Sequence, residues 1–284
     1  MRLLLNSDKI RFNKQQSNNG INTNIAVIDC DIFSYNRGKR PKYKEVYIQE
    51  ESIENHHANV IYDIIWNNSY GIANKANLYH YAVTDKNGRS SLKDINSAIR
   101  SCIKHNVDII NLSLMYLDNN INYLDVTMSM FTNKGGVIVA SSGNQNLNKV
   151  KYPSIRQDVI SVGDYDYVNE RSGEIGNTGH SLDITAPCDN IFLPQKYKDN
   201  GQEYRGTSFG SAYVTGVIAQ VISLLKEHKV NYNHYTIREI LDSAKVKSSL
   251  YVGKYGYLDY ENVMKATYKY IEKEVGQNVI KRHN

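Results

Sequence analysis

Short apolar runs alternate with longer amphipathic stretches along this chain. NIAVID at 24–29 is a run of buried-strand type that opens into a polar loop. After a basic, loop-like stretch, residues 53–66 carry apolar positions at helical spacing, and NNSYG then turns the chain. ANLYHYAV at 76–83 predicts a strand. The helix after it has Leu92, Ile95, Ile99, Cys102 and Ile103 on one face, and Ser91 to Asp94 form its capping box. VDIINLSL at 107–114 predicts a strand, 121–133 a helix, and GGVIVASSGN at 135–144 a buried strand ending in small residues. Further strands are expected at 158–163 and 181–185, and helices at about 207–227, 235–246 and 259–272.

Parallel strands need crossovers, so this alternation predicts an α/β fold: three layers, with a mostly parallel central sheet covered by helices on both faces. No linker or repeat divides residues 1–284, which are expected to form one domain with a core over about 20–272 and a fraying C-terminus.

Composition narrows the class. A hydrophobic share of 41% and a charged share of 22% are those of an ordinary globular protein. The net charge of +5 is too small and scattered for a nucleic-acid groove, and the basic cluster of Arg37, Lys39, Arg40, Lys42 and Lys44 reads as a solvated loop. Cys30, Cys102 and Cys188 are widely spaced, odd in number and in no metal-ligand pattern, which favours a reducing compartment over a disulfide framework. The leader-like run is only three leucines long, and no segment reaches the roughly 18 apolar residues of a bilayer span. A cytoplasmic protein without a membrane partner is expected, or a secreted one if the chain is already processed.

In open parallel sheets, reactive groups collect where strands end and helices begin. Asp29 ends the first strand, His56 stands near the start of the first long helix, and Ser208 opens the helix GTSFGSAYVTGVIA. Each has a plain structural role available, as turn former, solvated helix start or cap. Together, an acid, a base and a hydroxyl could form a nucleophilic triad. Gly206-Thr207-Ser208-Phe209-Gly210 also fits the nucleophile elbow of α/β-hydrolases, but the polar KYKDNGQEYR before it is not the buried strand that motif needs. DCDIFSYN after the first strand likewise lacks a dinucleotide-binding glycine pattern.

From about residue 20 to 225 the chain resembles the subtilisin-like serine peptidases, through IAVIDCDI, NHHANVIYDI, INLSL, VIVASSGNQN and RGTSFGSAYVTGVIA in that order. The resemblance implies Asp29 as orienting acid, His56 as base, Ser208 as nucleophile and Asn144 as oxyanion donor. It implies a peptide or protein substrate extended along Leu112, Ser113, Leu114, Met115 and Tyr116, with Ser141, Ser142 and Gly143 lining subsites and no cofactor. His56 is preferred to His57 because it sets Val60 on the family's valine. Cys30 and Asp31 stand where a hydroxyl residue and glycine are usual, and Ala212-Tyr213 where Pro-His is usual. NNSYGIAN carries too few carboxylates for a calcium site. The function expected is serine endopeptidase, with an intracellular or leader-processing role; the alternative is a silent relative that binds peptides. Oligomeric state is not legible.

Overall fold

The computed structural model describes residues 8–32, 41–47, 57–85, 89–114, 122–167, 171–189, 191–192, 203–246 and 252–283. The strands are β1 (Asn24–Cys30), β2 (Tyr43–Val46), β3 (Asn77–Thr84), β4 (Ile109–Leu112), β5 (Val137–Ser141), β6 (Val159–Asp166), β7 (Arg171–Ser172), β8 (Ile184–Ala186), β9 (Ile191–Phe192) and β10 (Glu203–Tyr204). The helices are α1 (His57–Trp66), α2 (Leu92–Lys104), α3 (Asn122–Asn133), α4 (Thr207–Glu227), α5 (His234–Ser243) and α6 (Tyr260–His283).

The sheet runs β2-β3-β1-β4-β5-β6, with β8 parallel to β6 and the two-residue β7 antiparallel to it. Its long strands are parallel, so their carboxyl ends share one edge. Strand alternation sorts the core into two layers. Ile25 and Val27 of β1 and Val137 and Val139 of β5 pack with α1, α4, α5 and α6. Ala26, Ile28, Ile138 and Ala140 face the other way, towards α2 and α3. The expected three-layer α/β architecture is therefore the one observed.

α2 begins as its pattern requires: the Ser91 side chain accepts the Asp94 N–H at 3.0 Å, and Ile95, Ile99 and Cys102 are buried. Helix α4 differs from expectation in one respect. It is long and apolar enough to cross a membrane by composition, yet its apolar stretch is wholly buried against the sheet, α1 and α6. A helix apolar all round belongs in a core, and this one is the centre of the larger layer.

Part of the basic stretch is also corrected. Residues 43–46 form β2, an edge strand paired with β3 from Tyr43↔Tyr79 to Val46↔Ala82. Alternation explains why: Tyr43 packs near the rings of Tyr79, Tyr81 and His105, while Lys44 turns to Asp31, Nζ to Oδ1 at 2.6 Å. The last helix continues to His283, beyond its expected end at 272. Arg37, Lys39 and Arg40 lie outside the described residues.

Candidate active site

The carboxyl edge of the sheet gathers the candidate groups. Pairing of β1 with β3 shifts register between Asp29 and Cys30, a bulge at the rim of the kind that re-aims side chains. Asp29 is 1% exposed. Its Oδ1 accepts the Cys30 N–H at 2.8 Å and lies 2.8 Å from Nδ1 of His57. Its Oδ2 is buried and accepts no hydrogen bond among the described residues.

The imidazole on the acid is therefore that of His57, which replaces His56 in the expected assignment; His56 itself lies outside the described residues. His57 is the first residue of α1. In this register Ala58 takes the family's small position and Ile61 its apolar one. Val60 and Ile61 are both fully buried, so an apolar pattern could not have separated the two histidines. Burial alone would lower the His57 pKa, but the charge and hydrogen bond of Asp29 outweigh it, and the value is raised above the usual 6.5.

Ser208 is the second residue of α4 and does not cap it. The N-cap is Gly206 at φ +155°, a conformation that favours glycine and offers no side-chain acceptor. Capping comes instead from Asn144, whose Oδ1 accepts the Thr207 N–H at 2.9 Å and the Thr207 hydroxyl at 2.8 Å. Those bonds fix the amide orientation, because the Thr207 N–H can only donate. Nδ2 is then the end left to donate beside the helix start, where the macrodipole also favours negative charge. The Phe209 ring lies 5.5 Å from that of His57, which sets the serine turn beside the imidazole. A Ser208 Oγ–His57 hydrogen bond is not among the contacts of the described residues; such bonds are often long before substrate binds.

Two supporting sets escaped the sequence reading. Asn177, fully buried, accepts N–H groups from Gln145 at 3.1 Å and Leu147 at 3.0 Å, and donates to the Ser142 carbonyl at 3.1 Å and Gln145 Oε1 at 2.9 Å. It braces the loop that carries Asn144. Beneath the serine, Asn111 Nδ2 donates to Ser113 Oγ at 3.0 Å, the Ser113 and Ser211 hydroxyls lie 2.9 Å apart, and Ser211 Oγ donates to the Ser208 carbonyl at 2.7 Å. Thr215 adds a bond to Asn111 at 3.0 Å. Local pattern carries little signal for either set, because most of the bonds join distant segments.

Leu112, Ser113, Ser141, Ser142 and Gly143 are buried along the β4 and β5 ends, and Leu114 is half-buried. Met115 and Tyr116 lie outside the described residues. The departures are absorbed quietly: Asp31 is neutralised by Lys44, and Ala212 and Tyr213 are core residues of α4.

A parallel α/β sheet thus sets an acid–imidazole pair at its strand ends beside an amide donor at the start of a buried helix. The sequence profile of the Subtilase family matches residues 14–267, and the chain belongs to that family. It is 29% identical over 240 residues to the thermostable alkaline protease of Halalkalibacterium halodurans, covering 80% of this chain and 64% of that protein. Against subtilisin E of Bacillus subtilis it is 29% identical over 256 residues, covering 84% and 65%. The chain thus spans a little under two thirds of these relatives' lengths. Among solved structures, the prenylagaramide maturation protease PagA superposes with a TM-score of 0.71 at 20% identity, covering 88% of this chain and 95% of that one. A serine-to-alanine mutant of the PatA protease domain gives 0.73 at 18%, covering 91% and 98%.

Proposed function

We propose that the chain is a serine endopeptidase in which Asp29, His57 and Ser208 form the triad and Asn144 supplies an oxyanion donor. The observation that carries this reading is the 2.8 Å bond from His57 Nδ1 to Asp29, beside a helix start whose amide donor is already oriented by Thr207. Asp29 holds the imidazole tautomer, so Nε2 takes the hydroxyl proton as Ser208 Oγ attacks the peptide carbonyl. Charge on the carbonyl oxygen meets Asn144 Nδ2 and the backbone N–H of Ser208. The C–N bond then breaks as His57 returns the proton to the leaving amine. Water, deprotonated by His57, hydrolyses the acyl ester and frees Ser208.

The substrate is a peptide lying extended along Leu112–Leu114, in the manner of an added strand. We read the physiological task as processing, such as removal of a leader from a ribosomally made peptide; PagA, which shares the fold, is a maturation protease. Cys30, Cys102 and Cys188 are buried thiols outside any disulfide, which supports work in a reducing compartment.

A fluorophosphonate probe tests the chemistry. Labelling of the wild type that disappears in Ser208→Ala is expected. A folded wild type that resists labelling from pH 6 to 9 would instead mark a peptide-binding relative without catalysis. Digestion of a peptide library, read by mass spectrometry, then gives the cleavage preference.

A further inference from the structure

Asp29 and His57 are what a serine hydrolase needs, but Cys30 has no part in that chemistry. Its thiol is 2% exposed and sits on the register shift that also aims Asp29. One ligand atom each from Asp29, Cys30 and His57 lie within 4.8 Å of one another. A tetrahedral zinc shell, with metal–ligand distances of about 2.0–2.3 Å, separates its donors by about 3.3–3.8 Å, so closing this trio on an ion brings donors together by at most about 1.5 Å. The second observation is Asp29 Oδ2, a carboxylate oxygen in a residue 1% exposed, which accepts no hydrogen bond among the described residues. An ion could take that oxygen without displacing a partner from it, while the bond it must break is the one from His57 Nδ1 to Asp29 Oδ1. The His57 side chain, 30% exposed, is the route in from solvent.

We infer that Asp29, Cys30 and His57 form an inhibitory site for a thiophilic divalent cation, zinc being the best fit. The mixed sulfur, nitrogen and oxygen donors suit zinc and exclude calcium or magnesium, which select oxygen alone. Such an ion is an inhibitor here, not a cofactor. It occupies the Nδ1 that Asp29 otherwise holds, so the imidazole loses the carboxylate partner that orients it and stabilises its protonated form. Binding depends only on the geometry, whereas its inhibitory effect rests on the function proposed above.

X-ray absorption at the zinc edge, on the full chain with one equivalent of zinc, reads the site without reference to activity. One sulfur with nitrogen or oxygen neighbours is expected; a shell of nitrogen and oxygen alone overturns the inference. Cobalt, used as a visible stand-in, should give a thiolate-to-metal charge-transfer band that Cys30→Ser abolishes, and a band that survives in this variant also overturns it. Zinc should inhibit probe labelling of the wild type reversibly with chelator, and Cys30→Ser should need at least about tenfold more zinc, since loss of even an outer-shell partner costs about 10–100-fold in affinity. Labelling without a sulfur shell sinks the metal site and leaves the peptidase. A sulfur shell in a protein that never labels does the reverse.

Discussion

At the scale of single residues, the pair Asp29–His57 sets the pH behaviour. The imidazole works as a base only when neutral, so kcat/KM should fall as pH drops through the His57 pKa, which the Asp29 charge holds above 6.5. Asp29→Asn removes that charge. We expect the acid limb of the pH–rate profile to move to lower pH and the plateau to drop about 10⁴-fold; an unmoved limb would mean another group is being titrated. The places of Asp29, Asn144 and Ser208 at strand ends and a helix start were legible in the sequence, because each follows a buried run or opens a helix. The choice between two adjacent histidines was not, since either register puts a buried apolar residue on the family's valine. The approach of Cys30 and His57 ligand atoms to within 4.8 Å was equally hidden: they are separated along the chain and brought near only by folding.

Among elements, the loop from Ser142 to Leu147 shows how the proposed oxyanion donor is held from behind. Asn177 makes four side-chain bonds to it, each worth roughly 1 kcal/mol net. Asn177→Ala should lower kcat by about tenfold or more with little change in KM, together with a small loss of stability. Asn177→Asp, which keeps both acceptor bonds, should recover part of kcat; a purely structural role would move Tm alone. Edge strand β2 shows where pattern reading stopped. PKYKEV is polar and basic, and only pairing with β3, ring packing by Tyr43 and the Lys44–Asp31 bridge reveal it as a strand. The long elements were legible because their apolar periods were unbroken, α4 above all, whose bounds match the expected ones.

For the whole molecule, a buried imidazole on β3 couples fold stability to acid. His80 is fully buried beside Tyr62, and burial drives its pKa down to about 4 despite the carboxylates of Asp31 and Asp29 nearby. In the unfolded chain the same group titrates near 6.5. Between those values the unfolded chain binds the extra proton, so stability is intact above pH 6.5 and declines as pH falls towards 4. Urea titrations of the wild type at pH 7 and pH 4.5 should differ by an amount that includes about 2 kcal/mol from this group, and His80→Gln should shrink the difference; an identical difference in the variant would assign the acid sensitivity elsewhere. Overall architecture was readable from the alternation of strands and helices, whereas this coupling was not, since nothing in YHYAV marks its histidine as unsolvated.

The central helix also has a temporal meaning. α4 follows every strand of the main sheet in the chain, and it alone brings the serine and fills the middle of the larger core. A nascent chain that has not yet reached α4 carries the acid and the imidazole but not the serine, so the site is completed only when this apolar segment docks. On the proposed mechanism, cutting ability is therefore withheld during synthesis by order of arrival.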